Sequence, residues 1–341
     1  MKRLLALASL LSVSAAPLLA ATANATHYDV AATWPVSGPG RWDLLEVDSA
    51  RHHLFISRSD RVQVVDTTSG KEVGTIPGTD GVHGIVIGSG GHGYTSNGKS
   101  NSVTEFDLAT LQRVRDLPVS GKSPDAMFHD AGSHHLFVFN AKSNNASVLD
   151  TTSGKEIATI AFDGNPELAV ADGHGHIYLN IESTAQLVEI DAASAKVTHT
   201  WKMDGCEEPS GIAMDAAHHR VFSTCQNKVL AVTDADSGRA VARVAIGEGP
   251  DGAAFDPATK SVLVPLGKSG VLDVIHVDGA NRYSKVQSLP TQTSARTIIL
   301  DESDHRAYTV AAKFGPVPAG EKRPPMIDGS FSVLVLAPQG K

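Results

Sequence analysis

The sequence predicts an all-β fold, a seven-bladed β-propeller of four-stranded antiparallel blades, and three observations carry that prediction. A motif of about 42 residues recurs from near Arg41 to the C-terminus; its clearest copies, VQVVDTTSGKEVGTI (62–76) and ASVLDTTSGKEIATI (146–160), lie two periods apart. A Pro followed by a short apolar run ending in Asp recurs as PDAMFHD (124–130), PELAVAD (166–172), PSGIAMD (209–215) and PDGAAFD (250–256). Beyond the N-terminal segment no long 3.6-residue periodicity survives, and Val, Ile, Leu and Phe alternate or run together between turn residues, as in strands packed between sheets. A fixed period of this length filled with short strands reads as propeller blades.

Aligned on the repeat, the blades begin near Trp42, Val82, Pro124, Pro166, Pro209, Pro250 and Ala295. The second strands are LFIS, GYTS, LFVF, IYLN, VFST, VLVP and AYTV, and the third strand ends in Asp66, Asp107, Asp150, Asp191 or Asp234 in five blades. Gly70, Gly154 and Gly238 then suit the positive φ of the hairpin turn into the fourth strand. The seventh blade lacks an outer strand, whereas His27 to Val36 (HYDVAATWPV) reads as a strand without a blade. Pairing the two closes the ring and removes an open edge. Six blades with a capping hairpin is the alternative.

Residues 1–25 read as a cleaved signal peptide: Lys2 and Arg3 precede an apolar run from Leu4 to Ala16, and Ala21-Thr22-Ala23 or Ala23-Asn24-Ala25 offers a cleavage site. The run is too short to span a membrane. Residues 26–341 then form one domain, periplasmic or extracellular, with no membrane span after cleavage. Losing the charges of Lys2 and Arg3 takes the net charge from −8 to −10. That balance opposes nucleic-acid binding, which needs Lys and Arg to neutralise phosphates. The two cysteines, Cys206 before blade five and Cys225 at the end of its second strand, are brought together by the intervening hairpin. In an oxidising compartment they are expected to form a disulfide.

The run LFVFNAKSNNASVLDTTSGKEIATI (136–160), strand–Asn–turn–strand–Asp–x–x–x–Gly, resembles the YVTN-repeat (YncE-like) family of secreted bacterial seven-bladed propellers. The likeness covers residues 41–341, although the YVTN tetrad is absent and blades six and seven diverge. The resemblance implies a shape and a compartment more than a reaction, because a fold does not by itself license a function.

One position past each blade start stand Asp43, His83, Asp125, Glu167, Ser210, Asp251 and Arg296, all polar at the head of apolar strands. In a propeller they form a ring at one mouth of the central channel. Arg296 falls between Asp251 and Asp43, and His83 between Asp43 and Asp125, which favours the protonated imidazole. Asp125 and Glu167 have no evident cation between them, so they are the candidate pair for a divalent metal or a basic ligand. A solvated mouth that avoids burying charge explains the same polarity without a ligand. Arg58, Asn97, Asn140, Lys142, Asn180, Glu182, Gln226 and Lys313, at the second-strand ends, fall on this face and read as turn residues. An insertion in blade seven, FGPVPAGEKRPPMIDGS (314–330), is expected to project over the mouth, as a lid or as an inert loop.

Of the 15 histidines, ten (His52, His53, His92, His134, His135, His174, His176, His218, His219 and His305) fall in the turn between first and second strands. That turn lies on the opposite face, so they are expected to be solvated turn residues and not a metal cluster. GYTSNGKS (93–100) satisfies the phosphate-loop pattern but is followed by the strand VTEF where that chemistry requires a helix. Neither a haem-attachment motif nor a nucleophile elbow occurs. No cofactor is predicted. The leading expectation is a monomeric, non-catalytic propeller that binds a small ligand or envelope protein through its acidic channel face. Two alternatives stand beside it: lactonase-like hydrolysis at an ion held by Asp125, Glu167 and Asn140, and a structural cell-envelope or surface-layer role.

Overall fold

The computed structural model describes residues 25–340; the expected signal peptide lies outside them but for Ala25. Among the described residues the strands form seven four-stranded antiparallel sheets. Six blades are continuous in sequence (45–77, 82–118, 124–161, 166–202, 209–245 and 254–290). The seventh combines Ile298–Asp301, Arg306–Ala311 and Ser332–Pro338 with Tyr28–Pro35, which pairs antiparallel to Ser332–Pro338 as the outer strand. The ring is therefore closed by the N-terminal strand, as expected, and the six-bladed alternative is excluded. No helix among these residues is long and apolar enough to cross a membrane.

The burial gradient follows from sheets packing face to face around a ring. Second and third strands are buried on both faces, so a run such as LFVF can be wholly apolar. Fourth strands are mostly exposed or half-buried. The core lies between blades: Phe55 meets Phe106 with ring centroids 5.7 Å apart, and Phe222 meets Tyr283 at 5.8 Å. The third-strand aspartates fold their own turns. Asp66 Oδ1 accepts from the Ser69 N–H and hydroxyl, both at 2.7 Å; Asp234 does the same with Ser237, and Asp150 accepts from the Ser153 N–H. Gly70, Gly154 and Gly238 stand at φ of +70°, +72° and +68°, as the turn demands. The segment 93–100 is strand and turn, continuing into the strand Ser102–Asp107, so no phosphate loop exists there.

Cys206 and Cys225 are buried and bonded, with Cα atoms 5.3 Å apart across 19 residues. Replacing both by serine is expected to cost about 3 kcal/mol through the loop entropy regained by the unfolded chain. Urea denaturation with and without reductant checks this; an unchanged midpoint would remove the disulfide's structural role.

The first strands depart from the even repeat. Regular pairing begins at Leu45, Ala254 and Ile298 in blades one, six and seven, three or four residues beyond the expected starts. In blades two to five the expected starts hold, but the ladder breaks directly after them: Pro124 pairs with Asn140, and the next pair is Met127 with Val138. The same skip follows Val82, Pro166 and Pro209.

Candidate functional site

This break frees four of the expected ring residues from the ladder. A residue released from the ladder by an irregular register is re-aimed, and His83, Asp125, Glu167 and Ser210 all lie within the skipped positions. Side chains then hold the freed backbone. The Ser96 hydroxyl donates to the Asp125 carbonyl and accepts from the Gly84 N–H at 2.7 Å. Asp43 is placed likewise, its N–H 3.0 Å from Ser57 Oγ and its carbonyl accepting from the Thr297 hydroxyl at 2.9 Å. A Cβ at position 98 would stand 2.9 Å from the His83 ring, so glycine there leaves the imidazole its place.

The expected pairings form around half of the ring. Arg296 Nε donates to Asp251 Oδ2 at 2.5 Å, and its Nη2 lies 3.5 Å from Asp43 Oδ1. His83 Nδ1 lies 2.6 Å from Asp43 Oδ2 and 3.8 Å from Asp125 Oδ1. The hydrogen bond to Asp43 holds the imidazole above its ordinary pKa, against the opposing effect of burial. Burial opposes the charge of Arg296, but Asp251 and Asp43 outweigh it and raise the guanidinium.

The other half has carboxylates without cations. Asn165 Nδ2 donates to Glu167 Oε1 at 3.1 Å and to Glu182 Oε2 at 2.8 Å, joining two acids through one amide. Burial, then repulsion from Asp125 and Glu182, pushes Glu167 up to about 9. Burial raises Asp125 to about 6 although His83 opposes it, and burial also raises Asp251 despite Arg296. Among the described residues, Asp43, His83 and Asp125 bring three donor atoms within 4.8 Å of one another, close enough to share one ion. Glu167 lies outside this trio, its carboxylate held by Asn165, and it remains beside Asp125, whose charge helps to raise it. Ser210 departs from the expectation: it is only 2% exposed, its hydroxyl 3.4 Å from the Pro250 carbonyl, so it joins blades five and six and does not face the mouth.

Behind the mouth the channel encloses about 500 Å³, walled by apolar side chains such as Leu44, Phe128, Leu168 and Phe255. Glu46, also on that wall, is raised to about 7 by burial. Glu46 had no signal in the repeat, because Glu at an alternate position of a short strand reads as solvent-facing. The blade-seven insertion does reach the mouth. Phe314 stacks on Trp42 at 6.0 Å, Arg41 lies over Phe314 at 5.2 Å, and Arg41 Nη2 donates to the Pro324 carbonyl at 2.6 Å. Between this loop and blades one and two lies a cleft of about 330 Å³, lined by Arg41, Asp43, His83, Lys99, Arg296, Phe314 and Arg323 among others.

The second-strand ends are mostly structural. Asn97, Asn140 and Asn180 are essentially fully buried, donating to groups such as Thr104 Oγ1, the Val138 carbonyl and the Ser210 carbonyl. Arg58, fully buried, lies 3.8 Å over the Phe331 ring and donates to the carbonyls of Gly38, Pro39 and Gly40; burial lowers it to about 10. Many histidines are turn residues: His52, His134, His219 and His305 adopt positive φ, and His176 and His218 pair locally with Asp172 and Asp215 at 2.7 Å.

Fold and mouth together define the class: a seven-bladed β-propeller with a charged channel mouth partly roofed by a loop of its last blade. Among solved structures the chain is similar to Kuenenia stuttgartiensis hydrazine synthase, with a TM-score of 0.69 and 17% identity over 80% of this chain and 94% of that one. At that identity the likeness is one of fold. No protein-family profile and no curated protein matches the sequence.

Proposed function

We propose that the protein is a non-catalytic binding propeller whose channel mouth receives the cationic group of a ligand. The supporting observation is the charge imbalance at that mouth. Among the described residues, Asp43, Asp125, Glu167, Glu182 and Asp251 form ion pairs only with Arg296 and His83, and burial already strains the ionisation of three of the acids. A positive group seated between Asp125 and Glu167 would relieve repulsion that the fold leaves uncompensated. Calorimetric titration with ethylammonium and with zinc ions tests the reading. Binding of at least one is expected, with loss in the Asp125→Ala/Glu167→Ala variant; equal binding by the variant would place the site elsewhere.

The Asp43, His83 and Asp125 trio favours a second reading, metal-assisted hydrolysis such as lactone opening, since a mixed imidazole and carboxylate set suits a divalent ion. A bound divalent ion in purified protein together with lactone turnover would establish it over the first. We further read the chain as a secreted, periplasmic or extracellular protein akin to the YVTN-repeat (YncE-like) propellers. The leader-like residues 1–25, the repeat itself and the buried disulfide support that assignment.

A further inference from the structure

We propose that the cleft between blades one and two and the blade-seven loop is an oxyanion subsite, holding a carboxylate or phosphate group of the ligand whose positive group the carboxylate ring receives. The second half of this statement rests on the binding reading above; the subsite itself does not. Four cationic side chains line the cleft (Arg41, Lys99, Arg296 and Arg323), against the single carboxylate of Asp43. That carboxylate is already engaged by His83 and Arg296, and Lys99 pairs outward with Asp80 at 3.1 Å. Arg41 and Arg323 have no acidic partner among the described residues, although both are on the cleft wall.

Arg41 is also fixed in place. Its guanidinium rests on the Phe314 ring and is tied to the Pro324 carbonyl, while Phe314 is backed by Trp42. A pre-positioned guanidinium fork is suited to carboxylate and phosphate, and little side-chain entropy remains to be lost on binding. Burial, with repulsion from Arg323 and Arg296, holds the Arg41 guanidinium below its usual range, a strain that an anion in the cleft would relieve. The neighbouring carboxylates repel an extended polyanion, so the fitting ligand is a small molecule with one oxyanion. Asp43 and Arg296 belong to both the ring and the cleft. A short bipolar molecule carrying an ammonium and an oxyanion therefore spans both regions.

The test is calorimetric titration at low ionic strength, where exposed guanidinium groups are least screened, using inorganic phosphate and phosphoethanolamine. The wild type is expected to bind phosphate, and Arg41→Gln/Arg323→Gln to bind it about tenfold more weakly. Arg323→Gln alone, which breaks no hydrogen bond or ion pair among the described residues, should weaken it in the same direction. Phosphoethanolamine should bind more tightly than phosphate. That gain should vanish in Asp125→Asn/Glu167→Gln, which still binds phosphate. No phosphate binding, or the same affinity in both arginine variants, overturns the subsite. Phosphate binding as expected with no gain from the added ammonium supports the subsite and overturns the link to the ring.

Discussion

A chain starting at Val36 is expected to lose its cooperative fold or to aggregate, although it retains every residue of blades one to six. Tyr28–Pro35 supplies the outer strand of blade seven, and without it Ser332–Pro338 becomes an apolar open edge, VLVLAP, available to other chains. The strand is also locked from outside its own blade. Gln287, on the fourth strand of blade six, holds the Tyr28 backbone through its side-chain amide at both ends: Oε1 accepts from the Tyr28 N–H, and Nε2 donates to its carbonyl, each at 2.8 Å. The Tyr28 ring is fully buried, and its hydroxyl donates to Asp256 Oδ2 at 3.0 Å, with Thr259 Oγ1 3.1 Å away. Burial, first of all, pushes that phenol far above its ordinary pKa, consistent with a permanently neutral hydroxyl. Tyr28→Ala alone should cost about 3–5 kcal/mol, as truncation of a large buried aromatic does. Urea denaturation of the variant and size-exclusion chromatography of the truncated chain check the two statements. An unaltered urea midpoint in Tyr28→Ala would show that closure contributes little.

Glu167→Gln is expected to stabilise the protein at alkaline pH and to leave it almost unchanged near pH 4. The sign follows from where the proton resides. Burial and neighbouring acids raise Glu167 to about 9 in the folded protein, against 4.5 without them. The unfolded chain therefore releases this proton first, and stability falls as pH rises through that interval. Asp125, raised from 3.8 to about 6, acts in the same direction over its own narrower window. His83, held above its ordinary value, contributes stability at low pH that is lost as pH rises through its folded value. The amide removes the charge penalty at position 167 and lessens that at Asp125. Partial solvent access reduces the gain to about 1–2 kcal/mol at pH 8.5. Thermal melts at pH 4 and pH 8.5 decide it: an equal shift at both pH values, or a lower melting temperature at pH 8.5, would contradict the charge repulsion on which the proposed site depends. Stability sacrificed at a binding site is a common feature of functional constellations.

The two expectations differ in how much of each was legible from residues alone. That Tyr28–Pro35 closes the ring could be read from a strand-like segment without a blade and a blade without a strand. Strand patterning and turn chemistry are local, and the Asp–x–x–Ser/Thr turns at Asp66, Asp107 and Asp150 repeat because each is satisfied within four residues. The pairing of Arg296 with Asp251 and Asp43 was equally legible, because the order of blades around a closed ring follows from the period. The approach of donor atoms from Asp43, His83 and Asp125, and the amide bridge from Glu167 to Glu182, were not. They depend on Asn165, two residues from Glu167 and outside the repeat column, and on where the ladder breaks in each blade. Ser210 occupies the same column as Asp125, yet it is buried against blade six, a distinction that the column does not contain.

The sequence alone determined the number of blades, their order and the strand that closes them, because each follows from short-range patterning repeated at a fixed period. Tertiary structure alone decided which ring members are turned away from the mouth, how far burial shifts the protons of the others, and that Arg41 and the loop residue Arg323 line one cleft from opposite ends of the chain. Those properties depend on distances between side chains from different blades and on the exclusion of water around them. Neither quantity is carried by any one repeat.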